Sequence, residues 1–243
     1  MPVVNPVGVV RSPWPDRFGI PRQPGLAPAA MATIELNRDV PPVALRGLEG
    51  FSHVWVLFLF HGVAEFPGVA DASNGVSAAG TPGPAVRRWT VRPPRLGGVR
   101  RLGVYATRSP HRPNGIGMSV VELVEVDATA RRLLVRGHDL MDGTPVLDLK
   151  PYLPYADAIP DARAGWASDP IPRLDVTYAP AAASFLAENP GLEALITETF
   201  ALDPRPAASR WGDLVVRIGA VDVRAHVEGG ACEVTEIWTW RAP

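Results

Sequence analysis

Residues 51–61 read FSHVWVLFLFH. From His53 to His61 the segment is nearly continuous apolar and rich in Val, Leu, Phe and Trp, side chains that suit a pleated backbone. It is far shorter than the ~20 residues of a membrane span, and it predicts a β-strand covered on both sides. Further candidate strands lie at Val3–Val10, Ala32–Leu36, Gly103–Ala106, Met118–Val126, Leu133–Gly137 and Val146–Lys150, separated by Pro and Gly punctuation. Within Met118–Val126, strict alternation puts Met118, Val120, Val124 and Val126 on one face, with Glu122 the exception. No long amphipathic helix separates these strands, which argues against a parallel βαβ sheet. The expected fold is mainly β: an antiparallel β-barrel with long excursions, not a Rossmann fold. One excursion runs from Gly62 to Val91, and its Gly-, Ala-, Ser- and Pro-rich part, Val69–Pro84, is expected to be mobile.

The pattern changes near Gly165–Arg173, where Pro170 and Pro172 punctuate the chain. Beyond it, Ala181–Glu188 and Gly191–Leu202 read as helices, the second with Leu192, Leu195, Ile196 and Phe200 at helical spacing. Three short strands follow at Leu214–Ile218, Val221–Val227 and Cys232–Trp238, with Gly229-Gly230 as a turn. The chain therefore divides into a barrel over 1–168 and a small α+β domain over 169–243.

Of the 243 residues 47% are hydrophobic and 20% charged, which fits a globular protein and excludes a disordered one. The N-terminus has no basic region followed by an apolar stretch, so no signal peptide is read. No run is long enough for a membrane span, and the lone Cys232 excludes an internal disulfide and a multi-cysteine metal site. These features point to a cytoplasmic protein with no metal centre.

The net charge of −1 conceals an asymmetry: residues 1–150 carry 17 basic and 12 acidic groups, residues 151–243 carry 7 and 13. Between positions 87 and 112 stand eight arginines and no acid: Arg87, Arg88, Arg92, Arg95, Arg100, Arg101, Arg108 and Arg112. Such a stretch makes a positive field with planar donors that grip phosphate, and it reads either as a polyanion site or as a solvated loop.

Familiar catalytic signatures are missing. There is no P-loop, HExxH or GxSxG, and Asn114-Gly-Ile-Gly-Met-Ser119 leads into a strand where a dinucleotide fold would need a helix. Ser109, His111 and Asp142 supply the types of a hydrolase triad, with no spacing that fixes its geometry. What stands out is a series of polar segments joining apolar strands: PRQPGL at 21–26, FSHVWVLFLFH at 51–61, RPPRLGG at 92–98, ATRSPHRPNGIGMS at 106–119 and DLMDGTPVLDLKPYLPY at 139–155, with DPRPA at 203–207.

In that order these segments resemble the TsaA-like (TrmO) family across the whole barrel. The resemblance implies a barrel-fold homodimer that uses S-adenosylmethionine to methylate N6 of N6-threonylcarbamoyladenosine at position 37 of tRNA. It places cofactor contacts at Gln23, Pro24, Gly25, His61, Gly62, Arg108, Met118, Arg136, Gly137, His138 and Asp139. Gly62 and His138 stand where many relatives have Gln and Leu, and Gly115 replaces a proline common in this loop.

Residue chemistry accommodates these roles. Gln23 offers donor and acceptor, Pro24-Gly25 allows close backbone approach, Arg108 suits a carboxylate, and Asp139 suits ribose hydroxyls or an amino group. Each has a plainer alternative: Gln23 to Gly25 as a turn, Met118 as core, Asp142-Gly143 as a hairpin turn. Asp139, His111 and Tyr152 are the candidate bases. For the tRNA anticodon stem-loop, the expected contacts are Arg87, Arg88, Arg92, Arg95, Arg100, Arg101, Arg112, Lys150 and Arg205. Tyr152 reads either as a base-stacking ring or as a core tyrosine. The alternative to catalysis is a barrel that binds modified tRNA without methyl transfer.

Overall fold

A computed structural model describes residues 4–62, 89–205 and 212–241. The expected mobile stretch 69–84 lies outside these residues.

Six strands close into an antiparallel barrel. In chain order they are β1 (Gly8–Arg11), β2 (Met31–Leu36) and β3 (His53–Leu59), then, after the two-residue strands β4 (Thr90–Val91) and β5 (Leu102–Gly103), β6 (Ile116–Asp127), β7 (Arg132–Arg136) and β8 (Pro145–Pro151). Around the barrel the order is β1-β2-β7-β6-β3-β8, with β8 returning to β1, while β4 and β5 form a separate ribbon. Closure leaves no unpaired strand edge in this sheet.

The core fills the barrel interior. Val10, Ile34, Val54, Val56, Phe58, Val121, Leu133, Val135 and Val146 are buried there. Each contributes roughly 1.5–3 kcal/mol by leaving water. Leu140, from the β7–β8 connection, joins the same core, as does Leu45 from the 3₁₀ turn Pro42–Leu45. Gly117 is required by this packing: a Cβ there would lie 2.3 Å from the Phe58 ring.

The strand at the centre of the sequence reading differs in one respect. In β3, Val54, Val56 and Phe58 are buried, while His53, Trp55, Leu57 and Leu59 are half-covered, so barrel core covers only one face. The partial outer cover includes Tyr152, whose ring centre lies 6.0 Å from that of Trp55. In β6 the buried side belongs to Gly117, Ser119, Val121 and Leu123. A register shift between Leu123 and Glu125 leaves Val124 as an extra residue, 46% exposed, and returns Val126 to the core side. Met118 and Val126 therefore face opposite ways, because one inserted residue reverses the alternation. The expected strand Gly103–Ala106 is mostly a 3₁₀ turn, Val104–Ala106.

The chain leaves the barrel through the short helix α1 (Pro154–Asp157) and builds a second layer: β9 (Asp175–Tyr178), α2 (Pro180–Glu188), α3 (Glu193–Ala201), β10 (Gly212–Ile218), β11 (Val221–Glu228) and β12 (Ala231–Thr239). The sheet order is β10-β11-β12-β9, with β9 parallel to β12. Gly229 and Gly230, at φ 57° and 92°, make the β11–β12 turn. Ala182 and Leu186 of α2 and Ile196 and Phe200 of α3 pack on one face of this sheet around a fully buried Cys232. A third, small cluster joins the units: Trp14, Ala27 and Ala30 from the β1–β2 connection meet Leu195 and Leu202. No helix among the described residues is long and apolar enough to cross a membrane.

Candidate active site

β1, β3 and β7 end where β2, β6 and β8 begin, so three connections emerge from one end of the barrel: residues 12–30, 60–115 and 137–144. Gln23, Pro24 and Gly25 lie in the first, His61, Gly62 and Arg108 in the second, and Gly137, His138 and Asp139 in the third. Arg136 and Met118 occupy the adjoining ends of β7 and β6. Antiparallel closure thus gathers residues more than a hundred positions apart.

Contacts among them are direct. Arg108 donates a guanidinium hydrogen bond to Gln23 Oε1. The Gly25 N–H donates to the Gly137 carbonyl at 2.7 Å, and the Gly137 N–H to the Ala30 carbonyl at 2.8 Å. Gly25 and Gly137 have φ of 78° and 68°, a left-handed conformation that favours glycine. Apart from its chain neighbours, no heavy atom of the described residues lies within 4 Å of where a Cβ on Gly25 would stand, so a ligand can reach this backbone.

Asp139 is the titratable group at the centre. Ser119, on the buried side of β6, donates its hydroxyl to Asp139 Oδ1 at 2.6 Å. Burial pushes the carboxyl up to about 6, against the opposing pull of the Ser119 hydroxyl and the Arg108 charge. Arg108 thus hydrogen-bonds Gln23 and acts on Asp139 through its charge alone.

Other expected contacts present less to a ligand. The His138 ring is fully buried, packs 4.9 Å from Trp14 and accepts the Leu140 N–H at 3.2 Å. Burial lowers its pKa to about 4, against the opposing pull of backbone groups at Met31 and Leu140, so the ring is held in the interior. Arg136 is paired with Glu122 across the outer face of β6 and β7, and that bond lowers the Glu122 pKa. Met118 is 59% exposed on the outer face of β6, contrary to a core role. His61 Nε2 lies 3.1 Å from the Asp142 carbonyl. A Cβ on Gly62 would lie 2.7 Å from Met141 Cε, so a larger residue requires Met141 to swing aside.

The structure separates the remaining candidates. His111 is exposed, and its backbone N–H bonds Ser109 Oγ. Lys150 and Tyr152 lie at the opposite end of the barrel from Asp139, where β8 finishes beside His53. Arg87 and Arg88 are outside the described residues. Arg92 and Arg100 are exposed, and Arg101 donates to Thr90 Oγ1 at 3.1 Å. Arg112 is half-buried, bonding the Thr107 carbonyl at 2.9 Å with its guanidinium 5.9 Å from the Tyr105 ring. Arg95 turns inward to the Ala167 carbonyl at 3.1 Å, and its Nη2 is buried without a partner among the described residues. Arg205 forms a two-point ion pair with Asp203, at 2.7 and 2.8 Å. These last two arginines hold the structure together more than they offer charge to a ligand. Among the described residues, no group of three or more His, Cys, Asp or Glu is placed to hold a metal.

Two family models match in tandem. The tRNA-methyltransferase O N-terminal domain covers residues 9–158, and the TrmO C-terminal domain covers 171–239. The chain belongs to the tRNA-methyltransferase O family. Relatives include RcsF of Pseudomonas aeruginosa, named for S-adenosylmethionine-dependent methyl transfer, 47% identical over 92% of this chain and 91% of that protein. Another is the tRNA (adenine(37)-N6)-methyltransferase of Escherichia coli K12, 43% identical over 83% of this chain and 81% of that protein. The crystal structure of TrmO from P. aeruginosa superposes with a TM-score of 0.77 at 38% identity, covering 99% of this chain and 98% of that one.

Against this family frame, sequence reasoning overlooked Ser119 and Glu198. Ser119 closes the segment 106–119 and sits two residues from Gly117 on the same strand face, a signal that it points inward beside the loop. Glu198 accepts the Ala29 N–H at 2.7 Å, bracing the loop that carries Gln23. No local pattern marks that role.

Proposed function

We propose that this protein transfers a methyl group from S-adenosylmethionine to N6 of N6-threonylcarbamoyladenosine at position 37 of tRNA, in the cytoplasm and as a homodimer, with residues 1–168 carrying the transfer. The observation that carries the reading is the tandem family match on a barrel whose one end joins Gln23, Arg108 and Asp139. Their chemistry fits the methyl donor. A guanidinium and an amide suit its carboxylate, an acid suits its ammonium or ribose hydroxyls, and the clear backbone at Gly25 suits the adenine. When bound, the donor supplies an electrophilic methyl on a sulfonium.

The protein's own task is alignment and proton control. Arg108 and Gln23, which hydrogen-bond each other, would hold the donor's carboxylate. Ser119 fixes one oxygen of Asp139, and the other accepts the proton of the attacking nitrogen. That nitrogen, set between a purine and a urea carbonyl, is more acidic than a plain exocyclic amine, so a carboxyl near 6 is adequate as a base. Of the three candidate bases, Asp139 is favoured by the Arg108 charge that acts on it and by its raised pKa. The exposed Ile116 and Met118 beside these positions, 44% and 59% accessible, are the apolar surface a second copy would cover.

Mass spectrometry of tRNA nucleosides, from cells with and without the gene, tests the activity. Loss of one methyl group from the threonylcarbamoyl nucleoside is expected, and an unchanged profile refutes the assignment. Sedimentation tests the dimer.

A further inference from the structure

The stretch 158–174 runs from α1 to β9, and most of it, 159–170, falls between the two matched domains. It nevertheless touches both loops proposed to hold the methyl donor. The Trp166 indole N–H donates to the Ala106 carbonyl at 2.7 Å, two residues before Arg108. Next to it, the Ala167 carbonyl accepts Arg95 Nη1 at 3.1 Å. The 3₁₀ turns Pro94–Leu96 and Val104–Ala106 are therefore tied to one short turn, Gly165–Ala167. At the far end of the stretch, Arg173 Nη2 donates to the Leu26 carbonyl at 2.9 Å, one residue past Gly25.

The two loops differ in how else they are held. Gly25 and Ala29 have separate anchors in the Gly137 carbonyl and Glu198. For the other loop, among the described residues, the hydrogen bonds that join 89–114 to distant parts of the chain run to Gln23, Trp166 and Ala167. A long connection takes its position from such ties. From Ala106 the constraint reaches Arg108 by a braced path. The Thr107 N–H and hydroxyl both bond the Val104 carbonyl, at 3.1 and 2.8 Å, and the Thr107 carbonyl accepts Arg112 Nη1 at 2.9 Å. Without Trp166, the placement of Arg108 would lean on its bond to Gln23, the same two groups that a carboxylate would engage.

We infer that Trp166 is a positioning residue for the methyl-donor site. Its turn, on the stretch between the two domains, anchors the loop of Arg108 and sets where that guanidinium meets Gln23. This role rests on the proposed donor contacts of Gln23 and Arg108.

The test uses the full chain carrying Trp166→Phe, which keeps a ring and loses the N–H. Without donor, amide exchange is expected to speed up over residues 104–109 and to stay unchanged in the barrel strands. Affinity for S-adenosylmethionine is expected to fall about three- to tenfold, the usual worth of one hydrogen bond. In turnover, KM for the donor rises by the same factor and kcat holds. Arg95→Met breaks the other bond to this turn and should weaken donor binding in the same direction. Wild-type donor affinity in Trp166→Phe, with Arg108→Ala binding weakly, overturns the inference. So does a loss of affinity with exchange raised equally across the barrel strands, the mark of a general folding defect. Donor binding that survives intact in Arg108→Ala would instead overturn the underlying contact.

Discussion

Asp139 holds its charge in a poor dielectric setting, and the sign of that cost can be measured. Its carboxyl is raised to about 6 from an ordinary 3.8. Between those values the folded chain keeps a proton that the unfolded chain has lost, so this residue's contribution to stability falls as pH rises through that window and stays unfavourable above it. Asp139→Asn removes the penalty. The variant should be inactive yet more stable than the wild type at pH 7.5 by about 3 kcal/mol, with the gap closing by pH 4 in thermal melts. His138 shows the opposite dependence. Its pKa is lowered to about 4 from 6.5, so stability is lost as pH falls through that range and the unfolded chain takes up the proton. His138→Leu removes the buried Nε2 and should flatten the urea midpoint between pH 6.5 and 4, whereas a steep acid loss equal to the wild type's would contradict this. The motif order singled out Gln23, Arg108 and Asp139, and the fold sets their segments at one end of the barrel. Motif order did not show that the His138 ring turns inward, because that depends on Trp14, more than a hundred residues away.

At the level of elements, strands were easier to read than their faces. Residues 51–61 form β3, but alternation along β6 is reversed by the extra Val124, and a bulge leaves no reliable mark on an apolar run. β9 escaped notice because its four residues owe their conformation to parallel pairing with β12, far along the chain. Distance in sequence also hides what α3 does for the site. Leu195 and Leu202 pack on the β1–β2 connection, and the Glu198 carboxylate holds the Ala29 N–H at 2.7 Å. Glu198→Ala should cost about 1.5–3 kcal/mol, the usual range for a hydrogen bond to a charged group. It should also speed amide exchange over residues 22–30 and weaken S-adenosylmethionine binding severalfold. Unchanged exchange there would mean that the helix does not brace the loop.

Over the whole molecule, charge is divided unevenly between the two units. The exposed Arg92, Arg100 and Arg101 lie in the connection that also carries Arg108, whereas the open face of the C-terminal sheet is acidic, with Asp213, Asp222, Glu228, Glu233 and Glu236 beside Arg217 and Arg224. Replacing all three arginines with alanine should weaken tRNA binding and reduce the salt slope by about 2–3, one released counterion for each lost phosphate contact. An unaltered slope would place the phosphate contacts elsewhere. Cys232 has a practical consequence of a different kind. It is the only cysteine in the chain, it is fully buried in the C-terminal core, and burial pushes its thiol up to about 11. A thiol reagent can therefore label the native protein only as fast as that core opens. Alkylation rate becomes a clock for one of the two large cores while the barrel stays silent, and it requires no mutation. Labelling rates with and without tRNA would measure whether the RNA changes how often that core opens.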